Sequence, residues 1–363
     1  MQEKIKWLRL IRTEGIGPVR FWQLLRQHKT VDRVLATLDC PYPYEKACEE
    51  IDLHHKQGFQ LLAAFEPCFP ALLKQHKDCP PLLSLYGNPE FLSRPMIAIV
   101  GARNASFGGR QISLQLANDL GHAGWIIISG LARGIDEKAH QGSLATGTVG
   151  VLAGGIDCIY PPEHRSLYTQ MAKQGVVISE MPLGVSPAAG LFPRRNRLIA
   201  GLSQAVVVIE AAVQSGSLIT ADYALNQGKE IFVIPGSPLD PRCSGSNKLI
   251  KQGAFLVESA QDILDVLGKP QVQEHPCSFL PTTSLDQGRF DTIQAFDKPL
   301  TDKNLKEQLL IDLSPTAVEI ENLLTSYPYP PSVILGLLSE LELEGRIQRH
   351  PGQLVSLIQA TSS

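Results

Sequence analysis

Short runs of continuous apolar residues recur through the middle of the chain. They occupy 96–100, 125–128, 148–152, 176–178, 205–209 and 230–234, with gaps of roughly 20–30 residues, long enough for a crossover helix each time. The runs do not alternate apolar with polar positions, as expected of strands covered on both faces. The predicted fold class is therefore α/β, with a Rossmann-like, mainly parallel sheet as its core over 63–268.

The flanks follow a different period. In residues 1–62, Ile5, Leu8 and Ile11 form one helical stripe and Phe21, Leu24 and Leu25 a second. Between them Glu14-Gly15-Ile16-Gly17-Pro18 predicts a turn, with the next helix starting at Pro18. Two short helices around such a turn resemble a helix-hairpin-helix, which either presents backbone N–H groups to a DNA phosphate or is a tight turn without a ligand. Residues 269–303, with Pro270, Pro276 and Pro281, read as a linker. From 304 to 363 two helical stretches precede two short strands around Pro351-Gly352, a winged-helix pattern.

Composition narrows the picture. At 363 residues and 44% hydrophobic content the chain can bury two or three domain cores, which excludes wholesale disorder. Lys and Arg number 33 against 36 Asp and Glu, a net charge of −3, so bulk electrostatics do not mark a polyanion partner and any such site must be local. The seven cysteines form no CxxC pair and are expected to be reduced thiols in a cytosolic protein. No apolar run approaches the roughly 18 residues of a membrane span, so neither membrane insertion nor export is expected.

In a parallel sheet, ligands bind beyond the carboxyl ends of the strands. There the sequence places Gly101-Ala102-Arg103 with Ser106-Phe107-Gly108, then Gly130 to Asp136 including Arg133 and Gly134, then Gly154-Gly155, then Ser179-Glu180, and finally Glu210 with Ser215-Gly216-Ser217. Glycines allow backbone N–H groups to approach an oxyanion, helix starts add positive potential, and Arg103 offers a two-pronged phosphate donor. The densest basic cluster is Arg194-Arg195-Asn196-Arg197, with no acid inside it. G-x-G-x-x-G is absent after the first run and G-x-x-x-x-G-K-[ST] is absent throughout, which removes the usual NAD(P) and ATP readings. The histidines lack ligand spacing, and no metal or cofactor is expected.

These motifs, in this order and joined by Tyr160-Pro161, Pro235-Gly236 and Gly245 to Ile250, resemble the DNA-processing protein A (DprA/Smf) family. The resemblance spans the whole predicted sheet domain. It implies an N-terminal helical domain like a sterile-alpha-motif or helix-hairpin-helix fold and a C-terminal winged helix. It further implies a binding protein rather than an enzyme, acting in natural transformation: it would bind and shield incoming single-stranded DNA and help load a RecA-type recombinase. A single-strand-binding protein is a further implied partner. By motif, Arg103 would hold a phosphate in a pocket shaped by Gly101 and by Ser106-Phe107-Gly108, and Arg194, Asn196 and Arg197 would complete it. Asp136 and Glu180 would orient these groups, since a carboxylate repels phosphate. Phe107 or Tyr160 could stack on a base. A homodimer is implied, with contacts around Leu249, Ile250, Phe255 and Leu256. At Tyr160-Pro161-Pro162-Glu163-His164 the chain departs from relatives that often carry Asn at the last position and a nearby Lys, so the resemblance does not carry a DNA contact over to this loop unless Arg165 substitutes.

Two other readings compete. A nucleotide phosphoribohydrolase of the lysine-decarboxylase-like class would share the phosphate rim, but its P-G-G-x-G-T-x-x-E stretch is missing between Glu210 and Thr220. A nucleotide-sensing module would bind mononucleotides and show no preference for oligonucleotides. The C-terminal region from 301 carries four Lys and Arg against eight Asp and Glu, which disfavours phosphate binding there and favours a protein-contact or dimer-modulating role.

Overall fold

The computed structural model describes residues 1–271 and 302–358. Four helices open the chain: α1 (Gln2–Arg12), α2 (Pro18–His28), α3 (Val31–Ala36) and α4 (Tyr44–Lys56). The stripes that predict α1 and α2 bury Ile5, Leu8 and Phe21, joined by Trp7 and Leu10. Gly15 takes φ +74°, a left-handed turn that suits glycine, and Pro18 begins α2 behind Gly17. Trp7 packs its ring 5.0 Å from Phe21 and 5.6 Å from Trp22.

All six predicted strands are present within a nine-stranded sheet: β1 (Gln60–Ala63), β2 (Leu82–Gly87), β3 (Met96–Gly101), β4 (Ile126–Ser129), β5 (Thr148–Val151), β6 (Val176–Ser179), β7 (Ala205–Ile209), β8 (Glu230–Val233) and β9 (Phe255–Leu256). Their order is β1-β2-β6-β5-β4-β3-β7-β8-β9. Pairing is parallel from β6 to β9, whereas β2 runs antiparallel to β6 and β1 to β2. Of the three added strands, β1 and β2 tie the N-terminal helices to one sheet edge and β9 forms the other, and β1 crosses the expected boundary at 62/63. Helices α5 (Ala71–Lys74), α6 (Phe107–His122), α7 (Ile135–Ser143), α8 (Arg165–Gln174), α9 (Leu191–Leu202), α10 (Gly216–Asn226), α11 (Ser244–Lys251) and α12 (Ala260–Leu267) surround the sheet. Two apolar cores result, one around Ala98, Val100, Val206 and Val208, the other around Ile97, Ile99, Val207 and Ile209. Alternate residues of one strand thus feed opposite faces.

The chain leaves β3 toward β4, β5 and β6, then returns through α9 to β7 on the other side of β3. This reversal opens a crevice between the loops after β3 and β7.

The C-terminal domain comprises α13 (Asp302–Asp312), β10 (Val318–Glu319), α14 (Ile320–Ser326), α15 (Pro331–Leu343), β11 (Ile347–His350) and β12 (Leu354–Leu357). The hairpin turns through Gly352 and Gln353, both at positive φ, as the winged-helix pattern predicts. Of the expected linker, 272–301 lies outside the described residues. Cys40, Cys48, Cys79, Cys158 and Cys243 are free thiols. Cys68 departs from the expectation of reduced cysteines, since it is disulfide-bonded. Among the described residues no helix is long and apolar enough to cross a membrane.

Candidate nucleic-acid interface

The crevice is a cleft of about 710 Å³ whose lining includes Arg103, Asn104, Phe192, Ser215, Gly216 and Arg242. Arg103 and Asn104 are exposed on the loop after β3. The Arg103 guanidinium lies over the Phe192 ring at 4.8 Å from its centroid, a cation–π contact. Phe192 in turn stands 5.8 Å from Tyr160, which is exposed. Sequence reasoning missed Phe192 as a wall of the site. The signal was there: an aromatic two residues before exposed Arg194, on a helix that starts at the carboxyl edge of the sheet.

Opposite this wall, α10 begins at Ser215-Gly216-Ser217. Ser215 caps it, accepting from Ser217 N–H, and the two hydroxyls lie 2.7 Å apart. Asn196 donates to the Gly216 carbonyl at 3.0 Å and fastens α9 to this turn. The N-terminal end of α10, an eleven-residue helix, therefore opens into the same cleft as Arg103.

Other predicted residues serve the frame. Arg195 is buried and donates to the carbonyls of Gly130 and Val151. Burial lowers its pKa to about 10 against the opposing field of Asp136, so its side chain is committed to the protein interior, not to a ligand. A Cβ on Gly130 would lie 2.0 Å from the Arg195 guanidinium, so Gly130 is needed for this arginine to fit. Gly134 sits at φ +76° with the Ala102 carbonyl 2.4 Å from where its Cβ would stand, joining the loops after β3 and β4. Gly101 packs as closely on β7. Gly154 and Gly155 are buried beneath the Pro182–Pro187 stretch. Arg197 is held by Glu180 and by the Asp78 carbonyl, and exposed Arg133 pairs with Glu163 at 2.5 Å.

Ser106 and Phe107 are likewise turned inward. Ser106 donates its N–H at 2.7 Å and its hydroxyl to Glu210, and accepts from Gly109 N–H as the cap of α6. Phe107 is buried in the core of the winged-helix domain, while Gly108 beside it is half-buried. These side chains therefore do not line the open cleft. Arg194 is exposed, yet it lines a separate crevice with Gly17, Pro18 and Glu180, between the N-terminal turn and the sheet.

Asp136 accepts from Gly130 N–H at 3.1 Å, and burial pushes its carboxyl above the ordinary range. It anchors the loop after β4, as the sequence suggests. His140 completes that anchor: Leu131 N–H donates to its Nε2 at 3.3 Å, so Nδ1 carries the proton toward Thr148 Oγ1 at 2.7 Å. Glu210, Asp240 and Cys243 bring potential metal-ligand atoms within 4.8 Å of one another. Ser106 occupies the first, Arg242 the second, and burial pushes the third, a thiol, up to about 12, so the set is poorly disposed to hold a cation.

At the expected subunit contact, Leu249 is buried within its own chain and Ile250 half-buried. Phe255 and Leu256, on edge strand β9, are 42% and 51% exposed.

Comparison with known proteins converges on one family. Residues 60–268 match DNA recombination-mediator protein A, 1–41 match a DprA-like N-terminal HHH domain and 297–353 match a DprA winged helix domain. The chain is 42% identical to the DNA processing protein DprA of Bacillus subtilis, across 63% of this chain and 78% of that protein. The X-ray structure of DNA processing protein A from Streptococcus pneumoniae superposes with TM-score 0.63 at 33% identity, covering 73% of this chain and 97% of that one. DNA processing protein A from Helicobacter pylori, whose structure is described by its single-stranded DNA binding mode, matches with TM-score 0.54 at 29% identity, over 58% of this chain and 95% of that one. With its sheet domain matched from end to end and its helical flanks matched as well, the chain belongs to the DNA recombination-mediator protein A family.

Proposed function

We propose that this chain binds single-stranded DNA through the cleft between the loops after β3 and β7. The observation that carries the reading is the pairing of exposed Arg103, laid on Phe192, with the open start of α10 across the cleft. Arg103 and the α10 N–H groups would hold one or two backbone phosphates, while Phe192 and Tyr160 offer faces on which an unpaired base can stack. Asn104, Ser215, Gly216 and Ser217 complete the contact set, and Arg194 supplies a cation where the strand leaves the cleft. The single-stranded DNA binding of the Helicobacter pylori relative supports the same ligand. Because phosphates and stacking carry the contact, affinity should be indifferent to base sequence.

The wider role follows from family membership. As a recombination mediator the chain would coat incoming single strands during natural transformation, work beside a single-strand-binding protein, and help a RecA-type recombinase onto the DNA in the cytosol. Exposed Phe255 and Leu256 would form a homodimer contact along β9. Within the cleft, a lining that positions phosphate, with no paired acid and base among the described residues that form it, favours binding over catalysis.

The test is Arg103→Ala in a gel-shift assay with several unrelated oligonucleotides. Loss of one phosphate contact should weaken binding of each by about tenfold. Wild-type affinity would dispose of the site, and release of free base from nucleoside monophosphates would instead favour the phosphoribohydrolase reading.

A further inference from the structure

The winged-helix domain is fastened to the sheet domain beside the cleft by charged contacts. Arg110, one turn into α6, donates to Asp312 at the end of α13 at 2.6 and 2.8 Å. Tyr327 donates to the same carboxylate at 2.5 Å. Arg242, which also lines the cleft, donates to the Ile311 and Leu313 carbonyls at 2.7 and 2.9 Å. Phe107 packs into the apolar core of the domain. The carboxyl end of α13 thus offers two arginines a carboxylate and a fan of carbonyl oxygens, the negative pole of a helix. A DNA phosphate would present the same chemistry to Arg110 and Arg242.

We propose that Phe107, Arg110 and Arg242 form a second phosphate-and-base subsite, continuous with the cleft, which the end of α13 occupies until a long single strand displaces it. The winged helix acts there as an intramolecular DNA mimic, consistent with its acidic balance of eight acids against four bases. Undocking exposes the aromatic ring, the Arg110 guanidinium and the Arg242 donors that faced Ile311 and Leu313, while Asp240 keeps its hold on Arg242; Phe107 and Arg110 share a surface because they are three residues apart on α6. The proposal rests on the cleft being a DNA site, and short strands confined to the cleft should not require the displacement.

The test compares a short oligonucleotide of about five nucleotides with one of about twenty, on the full-length chain. Asp312→Asn keeps the shape of the contact and removes its charge. It should bind the long strand about five- to tenfold more tightly, steepen its salt dependence by about one log unit per log unit, and bind the short strand as wild type does. Arg110→Gln breaks the same ion pair but removes a subsite cation, so it should show no gain. In the wild type, amide exchange along α13 should accelerate when the long strand is added and stay constant with the short one. Equal long-strand gains in both variants would reduce the contact to mere packing and overturn the proposal, as would exchange in α13 that is unmoved by long DNA. If Asp312→Asn does not fold, the wild-type exchange experiment decides alone. Failure of the wild type to bind even the short strand would overturn the DNA reading on which the proposal rests.

Discussion

At the scale of single residues, a guanidinium lying on an aromatic ring defines the site. Arg103 over Phe192 holds the cation in place without spending its hydrogen-bond donors, leaving the fork available to phosphate. Phe192→Ala should therefore cost single-strand affinity through both lost stacking and a loosened Arg103, on the order of 1–3 kcal/mol. Binding isotherms with an abasic and a normal oligonucleotide check it: the variant should lose the difference between them, and an undiminished difference would show that no base rests on Phe192. A second residue-scale prediction concerns stability. Burial lowers the pKa of His140 from 6.5 to about 3, so below pH 6.5 the unfolded chain takes up a proton that the folded chain refuses. The stability it contributes is complete above that pH and drains away as the pH falls toward 3, a loss on the order of 2 kcal/mol by pH 4.5. Urea unfolding from pH 8 to 4.5 should show a shallower decline in His140→Asn than in wild type, and parallel curves would contradict the assignment. The sequence exposed Arg103, Arg194 and the glycine loops as candidates. It could not sort Arg194 from Arg195 and Arg197, because Glu180, Asp78 and the Gly130 and Val151 carbonyls that occupy the latter two come from distant positions. A cluster with no acid of its own is neutralised by acids the fold brings to it.

Elements explain why the site sits where it does. Reversal of strand order between β3 and β7 puts two loop-to-helix transitions side by side, and the same reversal makes α9 cross over the carboxyl edge carrying Phe192, Arg194 and Asn196. Apolar runs and their spacing were sufficient to predict the parallel strands and their crossover helices, since buried parallel strands leave a strong signal, but the strand order itself appears only in the fold. Strands β1 and β2 left none that the spacing rule could use: they are antiparallel, precede the first crossover, and join without an intervening long helix. At the other edge β9 is two residues long with both side chains largely exposed, an uncovered strand edge that natural proteins usually protect. Phe255→Glu should halve the molar mass read by light scattering without altering the circular dichroism spectrum. An unchanged mass in a dimeric wild type would move the subunit contact elsewhere, and a monomeric wild type would remove it.

Over the whole molecule, charge is partitioned rather than scarce. A net charge of −3 conceals exposed Arg103 at the cleft and an acidic C-terminal domain that pairs with Arg110 and Arg242. Acidity at that domain was legible in the sequence; that Asp312 and the last α13 carbonyls face Arg110 and Arg242 of the same chain only the folded arrangement could reveal. The central claim is that unpaired DNA, held by phosphate and base face together, is what the cleft is shaped for. Its most direct test is a salt titration of binding to a single-stranded oligonucleotide and to the duplex of the same sequence, by wild type and Arg103→Ala. The account predicts tighter binding of the single strand at every salt concentration, a linear fall of log K with log salt, and a slope reduced by about 0.7 in the variant for the one phosphate contact removed. Equal affinity for duplex and single strand, or a slope that Arg103→Ala leaves unchanged, would contradict it.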